Sequence, residues 1–212
     1  MEKGNEGETM MKRIVGCGLV VMSLLNLWGC ANTQPTHFYL LRAMEPSEIS
    51  TMVDSKNSGV SLGLGPISLP KYLDRPQIVT RVSPYEIDLA EFHKWAAPLK
   101  DNLVNVLHDN LSKLLSTNRI MAYPWSRSSL PDYQLTLEVM QFDGTKNQEA
   151  SLSVQWRLAG DDGKRVLQEK TSQFSEIIRG PDYEDLVEAM SRMLGTFSQE
   201  IADVLNRPPR LL

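Results

Sequence analysis

Two hydrophobic periodicities divide this chain. From Tyr133 onward apolar residues alternate with polar ones: Tyr133, Leu135, Leu137 and Val139 are separated by Gln134, Thr136 and Glu138. Leu152, Val154, Trp156 and Leu158 alternate likewise with Ser153, Gln155 and Arg157. A step of two puts the apolar set on one face of a strand. Asp143-Gly144 and Lys146-Asn147 supply turn chemistry between these runs, and Gly160-Asp161-Asp162-Gly163 supplies it before a third strand over Val166–Ile178. The pattern predicts an antiparallel meander with one polar face. The loss of phase at Met140-Gln141-Phe142 predicts a bulge.

Elsewhere the step is three or four. Leu99, Leu103, Val106, Leu107, Leu111, Leu114 and Leu115 form one helical stripe behind Pro98, a residue suited to a first turn, and Thr117-Asn118 ends it. A second stripe joins Tyr183, Leu186, Val187, Met190, Leu194, Phe197, Ile201, Val204 and Leu205, with Asp182 placed as N-cap and Glu184 and Asp185 in the first turn. Burying such side chains contributes about 1.5–3 kcal/mol each, so both stripes require a partner surface. His37–Leu41, Val60–Ile67, Gln77–Val82 and Tyr85–Leu89 read as further strands, the last two as a hairpin closed by Ser83-Pro84. Gly63 and Gly65 predict a bulge or a close backbone approach, and Glu45–Ser58 reads as a loop. The expected fold is α+β, an antiparallel sheet with two long helices packed on one face.

Upstream, Lys12-Arg13 precedes about 15 mostly apolar residues that end at Gly29-Cys30. That is the layout of a cleaved export signal, and it falls short of the roughly 20 residues a spanning helix needs. Leu27-Trp28-Gly29-Cys30 resembles a bacterial lipobox, with cleavage between Gly29 and Cys30 and acylation of the Cys30 thiol; Trp28 departs from the small or β-branched residue usual there. A plain signal peptide with an incidental cysteine, or an uncleaved anchor, fits less of this pattern. Bacterial lipoproteins carry a diacylglycerol and an N-acyl chain at this position; each buried methylene contributes about 0.8 kcal/mol, and stable anchoring takes more than one chain. Ala31 is not the aspartate that resembles an inner-membrane retention signal, which points to the outer membrane of a Gram-negative envelope. Glu2, Glu6 and Glu8 ahead of the basic pair suggest that translation starts at Met10 or Met11.

The expected organisation is thus a signal over 1–29, an acylated cysteine and tether over 30–36, one periplasmic domain over 37–207 and a tail over 208–212. Removing residues 1–29 leaves 183 residues and a formal charge of −4, a one-domain length. With pI ≈ 5.5 and no Lys/Arg cluster, nucleic acid is not an expected partner. Cys17 leaves with the signal, so no internal disulfide is expected and the core must hold by packing.

Several runs resemble one family. Phe38-Tyr39-Leu40-Leu41, the segment Leu64-Gly65-Pro66-Ile67-Ser68-Leu69-Pro70-Lys71-Tyr72-Leu73-Asp74-Arg75-Pro76-Gln77-Ile78-Val79, and Trp95-Ala96-Ala97-Pro98-Leu99 resemble the PqiC/YmbA lipoproteins, the ABC-type transport auxiliary lipoproteins. Tyr123-Pro124-Trp125, Phe142-Asp143 and Trp156 extend the likeness over nearly the whole mature chain. The resemblance implies a lipid-anchored periplasmic domain working beside an MCE-domain tunnel protein (PqiB-like) that carries phospholipids between the membranes. It also implies a homo-oligomeric ring at the far end of the tunnel and a part in envelope integrity.

Candidate partner-binding residues are Pro70, Tyr72, Leu73, Arg75, Pro76 and Trp95. Prolines reduce the entropy lost on docking, and Tyr and Arg are common hot-spot residues. The same loop also reads as a fold-defining turn with internal contacts of Asp74 and Arg75, and Trp95 as a plug between helix and sheet. Trp125 and Trp156 read as core. No catalytic, metal or other cofactor site is expected: His37, His93 and His108 are scattered, His108 and Asp109 point apart on a helix, and the zinc and nucleophile-elbow motifs are absent. A rival class is an outer-membrane assembly or chaperone lipoprotein for β-barrel proteins.

Overall fold

The computed structural model describes residues 34–48, 59–126 and 129–206. The signal, Cys30, the start of the tether, positions 49–58 of the Glu45–Ser58 loop and the 208–212 tail lie outside the described residues. From Thr36 the chain forms one compact unit, and the following concerns that unit.

Eight strands and two α-helices follow in order. They are β1 (His37–Tyr39), β2 (Leu62–Ser68), β3 (Gln77–Ser83), β4 (Glu86–Trp95), α1 (Leu99–Leu114), β5 (Ile120–Ala122), β6 (Tyr133–Gly144), β7 (Glu149–Gly160), β8 (Arg165–Ile177) and α2 (Tyr183–Asn206), with a 3₁₀ turn at Pro46–Glu48. The α+β class and both helices stand as expected. The β6–β7–β8 meander is antiparallel, but the whole sheet is mixed. β1 runs parallel to β4, β2 runs parallel to β5 and β6, and β3 touches β6 in parallel at Thr80–Gly144. Alternation specifies which face a strand buries and not which neighbour it takes, so the parallel pairs left no local mark.

β6 organises the sheet. One edge pairs with β7 along its whole length, whereas the other accepts β2 over Tyr133–Glu138 and β3 only at Gly144. A lock between buried Ser61 and exposed Asp132 fixes the β2 register. Asp132 Oδ2 accepts from Ser61 N–H (2.8 Å) and Ser61 Oγ–H (2.7 Å), while Ser61 Oγ accepts from Asp132 N–H (2.9 Å).

The β6 bulge falls between Val139 and Gln141, and it leaves Met140 exposed. One boundary differs from the turn reading: Asp143 and Gly144 are the last residues of β6, and the turn is made by 145–148, with Asn147 at φ 59. Asp161, Asp162 and Gly163 all adopt positive φ in the next turn, the mirror-image geometry that matches strand twist.

Both predicted stripes face the core, including Leu115 just past α1. They meet the inward set Leu135, Leu137, Val139, Phe142, Leu152, Val154, Trp156 and Leu158. Trp156 lies edge-on to Phe197 of α2 at 6.2 Å. Its indole N–H donates to Ser172 Oγ at 2.9 Å, and that hydroxyl donates to Glu200 at 2.9 Å. Buried Asn110 joins the helices: its Nδ2 donates to Ser198 Oγ (3.1 Å) and its Oδ1 accepts from Met44 N–H (2.8 Å). Pro98 precedes α1 as its N-cap, at ψ 134, and is not a first-turn residue. At α2, Asp185 accepts from the Asp182 N–H at 2.9 Å, the returning half of a capping box.

Both glycines of β2 mark close approaches. A Cβ on Gly63 would stand 2.6 Å from Pro131 Cγ and 2.7 Å from Trp125 Cζ3; on Gly65, at φ +117, it would stand 2.7 Å from Tyr123 Cβ. Trp125, expected in the core, is half-buried on this side, edge-on to the Tyr123 ring at 5.2 Å. It covers the place where a Gly63 side chain would project.

Candidate docking loop and open sheet face

Six candidate residues converge from two stretches of sequence. Between β2 and β3, residues 69–76 form a short loop whose turns are closed by Leu73 N–H to Pro70 O and Arg75 N–H to Leu73 O, both 2.9 Å. The loop ends against β4, where Trp95 N–H donates to Pro76 O at 2.7 Å. Leu73 and Trp95 are both buried in the core. They hold the loop and are not presented to a partner in this structure. Lys71, Asp74 and Pro76 are exposed, and Pro70, Tyr72 and Arg75 are half-buried.

Tyr72 has an internal partner. Its hydroxyl donates to Asp143 Oδ2 at 3.0 Å. The same fully buried carboxylate accepts from Arg81 Nη2 (2.8 Å, Oδ2), Arg81 Nε (3.3 Å, Oδ1) and Gln141 Nε2 (2.8 Å, Oδ1). A buried charge persists only when paired and hydrogen-bonded, and here both oxygens are served. Burial, then the Asp143 charge and the bond to it, push the Tyr72 phenol up to about 12, with Arg81 opposing. The Arg81 guanidinium is raised chiefly by its bonds to Asp143.

Sequence reasoning missed this network. Asp143 sits two residues past the bulge that sets it on the sheet face opposite Phe142, although a carboxylate beside buried Phe142 was a usable signal.

Next to the loop lies the sheet face that the helices leave open. Pro66 and Ser68 of β2, Thr136 and Glu138 of β6, Gln155 and Arg157 of β7 and Glu169 of β8 line a groove of about 270 Å³ there. Arg157 and Glu169 pair across it at 3.8 Å. The groove is shallow and mixes polar and apolar lining, suited to an extended partner surface more than to enclosing a small molecule.

The histidines are less scattered than their spacing suggests. The His37 and His93 rings stack at 5.2 Å, Tyr183 stacks on His93 at 4.1 Å, and the Tyr39 hydroxyl lies 2.7 Å from His93 Nδ1. Lys146 Nζ lies 4.2 Å above the Tyr183 ring. Burial, then His37 and Lys146, lower the His93 pKa against the pull of Asp182. This cluster ties β1 to β4 and α2. His108 and Asp109 do not point apart: their side chains meet at 3.0 Å, on an exposed helix face.

Residues 39–202 match the family described as ABC-type transport auxiliary lipoprotein component. The chain belongs to this family. These auxiliary lipoproteins include the intermembrane transport lipoprotein PqiC of Escherichia coli, to which the chain is 25% identical over 194 residues, 91% of this chain and 97% of PqiC. Among solved structures, an uncharacterized protein shares the fold with TM-score 0.67 and 20% identity, over 82% of this chain and 100% of that one. A Xanthomonas campestris protein does so with TM-score 0.64 and 17% identity, over 79% and 93%. The family match begins at Tyr39, nine residues after Cys30, spans the loop, the open face and α1, and ends inside α2 at Ala202.

Proposed function

We propose that this protein is the non-catalytic auxiliary component of an MCE/ABC-type intermembrane phospholipid transport system. Acyl chains on Cys30 hold it to the outer membrane, on the periplasmic side. The 69–76 loop and the adjoining open sheet face dock the end of a PqiB-like MCE tunnel protein or a neighbouring copy in a ring. The observation that carries this reading is the family match over residues 39–202, behind a lipobox cysteine. The PqiC name supports the intermembrane transport setting, and a part in envelope integrity is proposed with it. The geometry adds a loop pinned by Asp143 and Trp95, so that its exposed residues lose little entropy on docking.

Crosslinking mass spectrometry on intact envelopes tests it, with photo-reactive groups at Lys71 and Asp74. Crosslinks to an MCE-domain protein and to a second copy of this chain are expected. Crosslinks to β-barrel assembly proteins in their place would contradict the proposal and favour the chaperone class.

A further inference from the structure

The register of β1 shows from which end the chain reaches the sheet. His37 pairs with His93, Phe38 with Lys94 and Tyr39 with Trp95, in parallel. In a parallel pair, the residues ahead of His37 approach from the side of Phe92 and Glu91. They therefore come from the end of β4 at which the β3–β4 hairpin turns, at Pro84-Tyr85. Here the sheet is bare on both faces. Tyr85 is 99% exposed and Val82 57%, and Glu86, Ile87, Asp88 and Leu89 are all exposed. Ile87 shares a face with its partner Arg81 and with Leu89, and exposed Val82 lies in the irregular pairing between Arg81 and Ser83. Apolar side chains thus flank a tip that no other described residue covers.

Covalent reach covers the length of this hairpin. Seven residues separate Cys30 from His37, at most about 25 Å of extended chain. Eight separate Tyr85 from His93, at most about 26 Å at 3.3 Å per residue, and the five steps from Lys94 to Leu89 lie opposite only the two from Gln77 to Val79, so the tip is nearer than that and within the tether's reach. An acyl group on Cys30 can therefore come level with Tyr85. We propose that the β3–β4 hairpin tip is a second, shallow membrane contact, with Tyr85, Val82 and Ile87 entering the interface of the bilayer that takes the Cys30 acyl chains. This rests on the acyl-anchor reading above. Tyrosine suits that depth, with an apolar ring and a polar end. Glu86 and Asp88 keep the contact at headgroup level and favour zwitterionic ethanolamine lipid over anionic lipid. Phe38 (65% exposed) and Leu40 (58%) lie at the opposite end of β4 and remain in water.

The test uses the acylated full-length mature protein in vesicles of phosphatidylethanolamine and phosphatidylglycerol. Acylation blocks the Cys30 thiol, so Tyr85→Cys or Phe38→Cys takes an environment-sensitive fluorophore at one position only. Flotation with the vesicles, lost in Cys30→Ser, checks the anchor by itself. Given flotation, the probe at 85 is expected to brighten several-fold, shift to the blue and be quenched by brominated lipid, while the probe at 38 does not change. A floating protein whose probe at 85 stays as wet as that at 38 overturns the hairpin contact and leaves the anchor standing; failure to float refutes the anchor. A probe at 85 already shielded in soluble Cys30→Ser protein, and unaffected by vesicles, assigns the tip to a protein partner and also overturns the proposal.

Discussion

The Tyr72 hydroxyl donates to the buried Asp143 carboxylate at 3.0 Å across 71 residues of sequence. That one bond joins the proline-bounded loop to the central strand. Tyr72→Phe keeps the ring and removes the bond, and a hydrogen bond to a charged group is worth about 1.5–3 kcal/mol. With Arg81 and Gln141 still serving the carboxylate, we expect a loss near the lower end, read from urea unfolding.

Alkali should act through the same contact. The folded phenol is raised to about 12 from its ordinary 10.0, so the native state holds this proton more tightly than the unfolded chain. The contribution is complete below pH 10 and fades as pH rises towards 12. Over that interval the wild type should lose more stability than Tyr72→Phe. Parallel losses in the two proteins would show that Tyr72 is not the group responsible.

Arg81 balances a charge that has no access to water. Arg81→Met leaves Asp143 buried with neutral donors only, and breaking such a pair costs about 3–5 kcal/mol. Adding Asp143→Asn should recover part of this, because the second substitution removes the charge the first exposed. Thermal unfolding of both variants measures the coupling, and strict additivity would contradict it.

At the opposite end, Asp132 should confer acid sensitivity. Its bonds from Ser61 hold its pKa below the ordinary 3.8. This contribution is present above that value and is lost as pH falls through the depressed one. Asp132→Asn should be less stable at neutral pH, and its stability should fall less steeply on acidification below pH 4.

Gly63→Ala tests the packing of β2. The new Cβ would stand 2.7 Å from the Trp125 ring and 2.6 Å from Pro131, so Trp125 must move. Overpacking of this kind costs about 1–3 kcal/mol. We expect a red-shifted tryptophan emission and relief when Trp125→Leu is added. An unchanged spectrum and midpoint would contradict the close approach.

How much of this was legible in the sequence depended on the range of the interaction. The α1 and α2 stripes, the β6–β7–β8 alternation and the Met140 bulge were legible because each is a local periodicity or a break in one. Gly63 and Gly65 signalled a close approach but not its cause, since Pro131, Trp125 and Tyr123 arrive from some sixty residues away. The parallel pairs of β1 and β2 were not legible, because alternation within a strand does not name its neighbour and three-residue β1 has none to read. In the candidate site, side-chain type singled out Tyr72 and Trp95. It did not reveal that Leu73 faces inward, nor that Tyr72 is held by Asp143, which the bulge sets on the sheet face opposite Phe142; Trp95 is buried in the core, in line with its reading as a plug. The exposure of Tyr85 was equally hidden, since a hairpin of alternating residues looks the same whether or not a layer covers it.

Intact-mass spectrometry of the protein purified from membranes examines the central claim most directly. The account predicts a chain that begins at Cys30 and carries a diacylglycerol and an amide-linked acyl group. A chain that begins at another residue, or one with Cys30 present as a free thiol, would contradict it.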